Sequence, residues 1–422
     1  MPLVAIGLDS FDTAFSGCTT HLASLITLNL ISEDYELADN PWLVRLNPAV
    51  PWKTRGNGAV ALIVIVDDYR EASTVARLVK HAAKAYGYGG AGGRGTALVL
   101  YYDDAGSVTD YVAVRERCLE SLYSHATTRL VAREHAEECL HLIAKRRPLL
   151  FYHHGGRGLI GALAALGADF REDYTYELLA YRSVDNWLKK RMIDEHSVIE
   201  YDLATRPLTF MNYDYEVGKP LIHPHTNDPV LYGVRGEERE VLIKALTMID
   251  AGEAFTHWTL YRTNQATNAH LRLKTIEKIR PYDNVVVHGV VSSKPRSIPG
   301  GHTIATLRDH SGGEISIAAY RESGRIRKTL ALIEAGAPIT VAGQVKPHGQ
   351  KLTLNIEQLT LYADHHFSYG IRSCSKNTIH PPLSSLHHLA MPPERCLYRG
   401  GKRWPEQKPR EKLVAGVGQG VI

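Results

Sequence analysis

Apolar positions along the chain alternate between short continuous runs and helical spacing, with glycine-rich breaks between them. The run Val4-Ala-Ile-Gly-Leu8 reads as a buried strand, and residues 20–32 carry apolar side chains at helical spacing that would pack on it. A second apolar strand is expected over 59–66, an amphipathic helix over 70–86, and a strand over 97–102. Residues 107–147 read as two helices carrying Cys118 and Cys139 as core or partly buried thiols. From Pro148 a strand, a Gly-Gly-Arg-Gly turn and an Ala/Leu-rich helix follow one another; 174–182 alternates as a strand, and 229–237 is a strand running into a Gly-Arg-Gly turn and a helix. Strands interleaved with helices place this part in the α/β and α+β classes.

The pattern then changes. Five segments, 285–291, 302–308, 313–320, 339–345 and 351–361, have mostly alternating apolar positions, and one helical stretch at 324–335 lies between the third and fourth. That order is the one expected of an OB-fold barrel. Its basic residues Lys294, Arg296, Arg308, Lys346 and Lys351 fall at or near strand ends and loops, where such barrels contact nucleic acid; a purely structural barrel is the plainer reading.

A chain of 422 residues is too long for one hydrophobic core, so several units are expected. The divisions read from the pattern are 1–147, 148–282, 283–363 and a tail over 364–422. No apolar run approaches the ~20 residues needed to span a bilayer, and no leader pattern opens the chain, so a cytoplasmic protein with no membrane contact is expected. Five scattered cysteines fit a reducing compartment better than a disulfide framework. The tail holds nine Lys/Arg against four Asp/Glu, leaving 40 of the 49 basic and 41 of the 45 acidic residues to the rest. The net charge of +4 therefore comes from the tail, as a polyanion contact or a solvated basic segment would give.

Candidate chemistry begins where the first strand ends. Asp9 and Asp12 sit at i, i+3 in a tight loop, and Thr19 and Thr20 open the following helix. Two carboxylates so placed can share a magnesium ion, and amides at a helix N-terminus can hold a phosphate; a polar loop with an ordinary cap is the alternative. Prolines at 48 and 51 exclude a continuing helix or central strand, so Lys53, Arg55, Gly56 and Asn57 fall on a rigid loop suited to triphosphate oxygens. Arg157 with Gly158 at a helix start is a second anion site. The run 87–95 lacks both the P-loop and the dinucleotide spacing and reads as a flexible connection. His223 and His225, with a proline between them, make a weak metal site. Asp173 is a candidate acid for a cationic substrate, and Arg262 and Asn264 stand in a polar stretch able to read a base or cap phosphates.

Five motifs carry a resemblance. Gly7-Leu-Asp-Ser-Phe-Asp-Thr13 with Gly17-Cys-Thr-Thr20, Arg45-Leu-Asn-Pro48 with Pro51-Trp-Lys-Thr-Arg-Gly-Asn57, Gly156-Arg-Gly-Leu-Ile-Gly-Ala-Leu-Ala-Ala165, Pro229-Val-Leu-Tyr-Gly-Val-Arg-Gly-Glu237 and Arg262-Thr-Asn-Gln-Ala-Thr267 resemble, in the right order, the tRNA-isoleucine agmatidine synthetase (TiaS) family. The resemblance implies an archaeal enzyme that uses ATP and magnesium to join agmatine to the wobble cytidine of the isoleucine tRNA with a CAU anticodon. It implies a kinase-like domain, a ferredoxin-like domain, an OB-fold and a zinc ribbon. On the matching positions Asp9 and Asp12 would hold magnesium, Thr19 would match the family's autophosphorylated threonine with Thr20 beside it, and Lys53, Arg55 and Arg157 would clamp phosphates.

Two departures stand out. The family's opening motif has consecutive aspartates, and here the second is Ser10. The family's ribbon has two Cys-x-x-Cys knuckles flanking a Gly-Gln-Gly segment. This chain has Cys396 with Arg399 where the second thiolate would stand, keeps Gly418-Gln-Gly420, and stops before a second knuckle, so a degenerate ribbon with no structural zinc is expected. The competing functional reading is an OB-fold tRNA-binding protein with an impaired kinase-like site.

Overall fold

The structure, a computed structural model, describes residues 1–12, 17–53, 56–87, 95–153 and 156–361, together with the backbone of three short strands at 372–375, 378–380 and 415–417. The glycine-rich run at 88–94, Arg55, and Cys396 with Arg399 lie outside the described residues.

The opening strand β1 (Leu3–Asp9) is the centre of the first unit. After it come α1 (Thr19–Ser32), β2 (Trp42–Arg45), β3 (Gly58–Ile65), α2 (Tyr69–Gly87) and β4 (Thr96–Tyr102). Three helices follow rather than two: α3 (Val108–Val114), α4 (Arg117–Thr128) and α5 (Arg133–Ala144). Next are β5 (Leu149–His153), α6 (Gly158–Leu166) and β6 (Thr175–Arg182). β1 pairs antiparallel with β3 on one side and β4 on the other. Its side chains alternate between two cores: Leu3 and Ala5 join α3, α4, α5 and α6 on one face, while Val4, Ile6 and Leu8 join α1 and α2 on the other. Both faces being covered, the strand is apolar throughout even though its pairing is antiparallel.

The sheet does not stop at the first unit. After α7 (Glu195–Thr205), β7 (Thr209–Phe210), β8 (Tyr213–Asp214) and β9 (Lys219–Pro220) come β10 (Val230–Gly236), α8 (Arg239–Ile243), α9 (Ala245–Met248) and β11 (Phe255–Thr263). β11 lies parallel to β2 and antiparallel to β6, so one sheet runs in the order β5-β4-β1-β3-β2-β11-β6-β10-β7. β5 pairs with β4, and α6 packs beneath β1, so the chain past residue 147 completes the first layer before building the second.

Cys118 and Cys139 form a disulfide between α4 and α5, correcting the expectation of free thiols. Their separation of 21 residues gave no paired spacing to read. Cys18 is the one free thiol among the described residues.

A short strand β12 (Arg272–Leu273) leads into the barrel, built of β13 (Asn284–Ile298), β14 (His302–Arg308), β15 (Glu314–Ala319), α10 (Gly324–Leu332), β16 (Pro338–His348) and β17 (Lys351–Leu361). β13 pairs with β14 and β16, β14 with β15, β15 in parallel with β17, and β17 with β16, which closes five strands around their own apolar core. This is the expected OB-fold, with β13 and β16 extended by several residues beyond their apolar alternation.

Candidate active site

At the end of β1 the chain turns sharply. Ser10 adopts φ 63 and donates its amide to Asp9 Oδ1 at 2.6 Å. The return depends on Gly17 at φ 83, where a Cβ would lie 2.8 Å from the Phe11 carbonyl oxygen. Thr19 then begins α1, and its hydroxyl accepts from the Phe11 amide at 3.2 Å and donates to Asp12 Oδ2 at 3.2 Å. The sequence-predicted trio Asp9, Asp12 and Thr19 is therefore brought to one turn, with Thr20 buried beside it.

Two clefts meet at this turn. The first, with about 560 Å³ of open space, is lined by Asp9, Ser10, Trp52, Lys53, Asn57, Arg129 and Arg157, among others. Arg157 stands over the Trp52 ring at 5.0 Å and donates to the Val131 carbonyl at 3.1 Å. Asn57 commits its amide to the Asn47 carbonyl at 2.8 Å, which shapes the loop rather than leaving it for a ligand. Gly158 permits the first turn of α6 to approach Ser10. Three cations against one carboxylate make this cleft electropositive.

The second cleft, with about 790 Å³, is lined by Asp12, Thr19, Thr20, Arg45, Gly56, Glu177, His223, Asp228 and Arg235, among others. Glu177 is fully buried between Arg45 Nη2 at 2.7 Å and Arg235 Nη2 at 3.0 Å. Burial would raise its carboxyl, but the two guanidinium charges prevail and hold it below the usual range. Asp228 is paired with Arg191 at 3.3 Å. The three carboxylates of this cleft, Asp12, Glu177 and Asp228, are thus balanced by three guanidiniums, those of Arg45, Arg235 and Arg191.

Asp9 is a strongly perturbed acid. Burial first, and then the Asp12 charge, push its carboxyl well above the usual carboxylate range, against the hydrogen bonds from Ser10. A cation between the two carboxylates would relieve both causes. Among the described residues no three acids, histidines or cysteines cluster to hold a metal. Asp9, Asp12 and the Ser10 hydroxyl could offer hard oxygens to a cation, the donor type that magnesium takes together with phosphate oxygens and water. Cys18 is pushed up to about 12 by burial and by Asp12, so it stays a neutral thiol and not a nucleophile.

Other sequence-predicted residues fall elsewhere. Arg262 is largely buried, ion-paired with Asp39 at 2.9 Å and stacked on Tyr174 at 4.3 Å. Asn264 clasps Arg45, accepting from its amide at 2.7 Å and donating to its carbonyl at 2.9 Å. Both residues fasten the end of β11 to the segment around β2, so this polar strand end carries an internal joint. Asp173 is exposed, in the segment just before β6, and lines neither cleft. On the barrel, Lys294, Arg296, Arg308, Lys346 and Lys351 fall on or beside the strand ends, with Arg308 exposed and paired to Glu314 at 2.7 Å. Sequence reasoning passed over Arg129, Glu177 and Arg235. Arg235 was legible in the Gly-Val-Arg-Gly turn, whereas Glu177 and Arg129 carry no motif and are set only by the packing of β6 and α4.

Comparison with known proteins decides what kind of site this is. Family models match in three segments: the TiaS TCKD domain over residues 5–68, the TiaS FLD domain over 156–270 and an OB-fold nucleic acid binding domain over 285–362. The isoleucine-tRNA 2-agmatinylcytidine synthetase TiaS of Hyperthermus butylicus is 50% identical over 417 residues, 96% of this chain and 96% of that protein. The chain belongs to the TiaS family. The crystal structure of TiaS in complex with its isoleucine tRNA and ATP superposes with a TM-score of 0.74 at 29% identity, covering 89% of this chain and 86% of that one. A complex of TiaS with the same tRNA, AMPCPP and agmatine superposes at 0.72 with 30% identity, over 85% and 83%. The turn carrying Asp9, Asp12 and Thr19 lies in and just after the opening strand of the TCKD match, and α6 with Arg157 opens the FLD match.

Proposed function

We propose that this chain is an ATP-dependent ligase that conjugates agmatine to the C2 carbon of the wobble cytidine of the isoleucine tRNA with a CAU anticodon, enabling AUA decoding. The observation that carries the reading is the meeting of an electropositive cleft and a second cleft at the Asp9–Asp12–Thr19 turn of a TiaS family member.

The C2 oxygen of cytosine is a poor leaving group. Phosphorylating it creates a phosphate that the primary amine of agmatine displaces at C2, the amine losing a proton as the carbon–nitrogen bond forms. The first cleft, through Lys53, Arg129 and Arg157, holds phosphoryl oxygens and balances charge that grows in the transition state. Asp9, Asp12 and Ser10 would hold magnesium, which neutralises phosphate charge when bound. Thr19 is the phosphoryl-handling hydroxyl, with Thr20 at its side and Asp12 as its acceptor. Agmatine, a dication, enters the second cleft, whose wall carries the Asp12, Glu177 and Asp228 carboxylates; Asp173 does not line that cleft. The cytidine must leave its stack to reach the turn.

On this reading residues 1–147 are kinase-like, 148–282 ferredoxin-like and 364–422 a degenerate ribbon that binds no zinc. The setting is cytoplasmic; no helix among the described residues is long and apolar enough to cross a membrane. Incubation with labelled ATP, magnesium, agmatine and tRNA transcript tests the proposal. Agmatine appearing at the wobble position supports it. Binding of tRNA without ATP turnover would instead favour an OB-fold RNA-binding protein with an inactive site.

A further inference from the structure

Two tyrosines from different elements grip the backbone on either side of Thr19. Tyr86, one residue before the end of α2, accepts the Cys18 amide on its hydroxyl oxygen at 3.0 Å. Tyr261 of β11 donates its hydroxyl to the Thr20 carbonyl at 2.6 Å. A phenol has one proton, and that of Tyr261 is spent on Thr20. At its 3.0 Å contact with the Tyr181 hydroxyl it therefore accepts, so donors run from Tyr181 through Tyr261 to Thr20. Tyr181 and Tyr261 are fully buried, and Thr19 and Thr20 nearly so.

Both tyrosines are themselves held. The Tyr86 hydroxyl also meets His21 Nδ1 at 2.8 Å, and its ring meets Phe11 edge-on at 6.5 Å. The His21 ring lies 5.5 Å from that of Tyr86 and 5.1 Å from that of Tyr181, so one aromatic cluster carries both grips. Ser24 of α1 and Thr259 of β11 share a hydrogen bond at 2.6 Å, which joins helix and strand at a second point. Above this base the Thr19 hydroxyl accepts from the Phe11 amide and donates to Asp12, each at 3.2 Å. A buried tyrosine needs only some partner for its hydroxyl. These two find theirs in the backbone one residue to each side of Thr19.

We propose that Tyr86 and Tyr261 are positioning residues for the phosphoryl step: by fixing the Cys18 amide and the Thr20 carbonyl they fix the direction of the Thr19 hydroxyl. The inference rests on the reading of Thr19 as the phosphoryl-handling group and adds the two groups that aim it. Neither tyrosine lines either cleft, so both act through the backbone and not on a ligand. The effect belongs to the rate and not to binding, because a misplacement of about 1 Å at a reacting group costs on the order of 100-fold.

Tyr86→Phe and Tyr261→Phe each delete one oxygen and keep the ring in the cluster. Tyr86 is only half-buried, so its variant stays folded and carries the test should Tyr261→Phe unfold. ATP consumption by the full chain with magnesium, agmatine and tRNA is followed in single turnover, and tRNA and ATP-analogue affinities by anisotropy. The rate is expected to fall on the order of 10- to 100-fold in each variant with both affinities unchanged. Hydrogen exchange, read by mass spectrometry on the peptide that contains Cys18, should quicken in Tyr86→Phe. The double variant should lose less than the product of the single losses, because both act on Thr19. A purely structural role would lower the unfolding midpoint and leave the rate of the folded enzyme intact. That result, a loss confined to KM, or multiplicative losses would each overturn the positioning role. ATP consumption that depends on both tyrosines but brings no agmatine onto the tRNA would sink the synthetase reading and leave the positioning role standing. A wild type that consumes no ATP would overturn both.

Discussion

Gly161 of α6 faces the carboxylate of Asp9 so closely that a Cβ at this position would lie 2.0 Å from Oδ2 and 2.6 Å from Cγ. The helix is buried along its whole length against β1, so neither element can yield. Replacing glycine by alanine in a helix normally gains roughly 0.5–1 kcal/mol. Here Gly161→Ala must instead turn the Asp9 side chain out of the turn. ATP turnover is expected to fall on the order of 100-fold with tRNA affinity retained, as read by single-turnover kinetics and anisotropy; unchanged turnover would remove Asp9 from the site.

Asp12 is one of the two causes that raise the Asp9 carboxyl. Asp12→Asn removes that charge, so Asp9 must ionise at lower pH than in the wild type. Carboxyl-labelled NMR titration of Asp9 follows it directly. In the wild type Asp9 holds its proton above the pH at which it would lose it unfolded, so it makes stability fall as pH rises through that window, and the fall is smaller in Asp12→Asn.

His21 and His257 lie in one buried cluster, their rings 5.2 Å apart, with His257 stacked on Tyr181 at 4.8 Å. Burial, joined for His21 by the neighbouring His257, lowers them to about 3 and about 4. Both are neutral in the folded state at pH 5 while the unfolded chain has taken up protons. Stability therefore falls on acidification from about 6.5 towards 4, by about 1.4 kcal/mol per pH unit for each ring. Urea unfolding of His257→Phe at pH 7 and pH 5 should show the dependence reduced by about one proton; an identical slope would contradict the neutral state of His257.

The disulfide between Cys118 and Cys139 closes the loop that carries Arg129 and Val131 to the first cleft. Closing a loop of this size stabilises by about 3 kcal/mol through the unfolded chain. The midpoint of denaturant unfolding should drop when the protein is unfolded with a strong reductant present. The double variant Cys118→Ala/Cys139→Ala should show the lower midpoint with or without reductant.

How far the sequence led can be seen at these residues. The turn was legible because its chemistry is local: Asp9, Asp12 and Thr19 stand within eleven positions of one another. The barrel was legible because its alternation repeats five times, although β13 and β16 run past their apolar part where twist and hairpin pairing continue without a core. The internal pairing of Arg262 and Asn264 was not legible because polarity at a strand end looks alike whether it faces a ligand or another strand. Their partners Asp39 and Arg45 are over 200 residues away in the chain. Glu177 was invisible for the same reason: an acid in a strand gains its meaning only when Arg45 and Arg235 close on it.

Asn47 joins the loop that walls the first cleft to the barrel through both ends of its side chain. That side chain is fully buried; Oδ1 accepts from Ala49 at 2.7 Å and from Asn284 at 2.7 Å, Nδ2 donates to Tyr282, and the backbone carbonyl accepts from Asn57. Asn47→Ala strands the buried amides of Ala49 and Asn284, at roughly 1–3 kcal/mol for each unsatisfied group. Asn47→Asp keeps the acceptor but loses the donor to Tyr282 and buries a charge, so it should destabilise at least as much. The alanine variant frees the barrel from the loop that carries Lys53, and the barrel and the Asp9–Asp12–Thr19 turn then lose their fixed spacing. In unfolding experiments the variant should lose about 3 kcal/mol. Under conditions where it remains folded, kcat with tRNA should fall more than ATP affinity. Loss of stability with kcat untouched would make Asn47 a packing residue alone and leave the alignment of barrel and turn to the contacts of Arg325 with Glu216, His270 with Glu357 and Gln358 with Asn268.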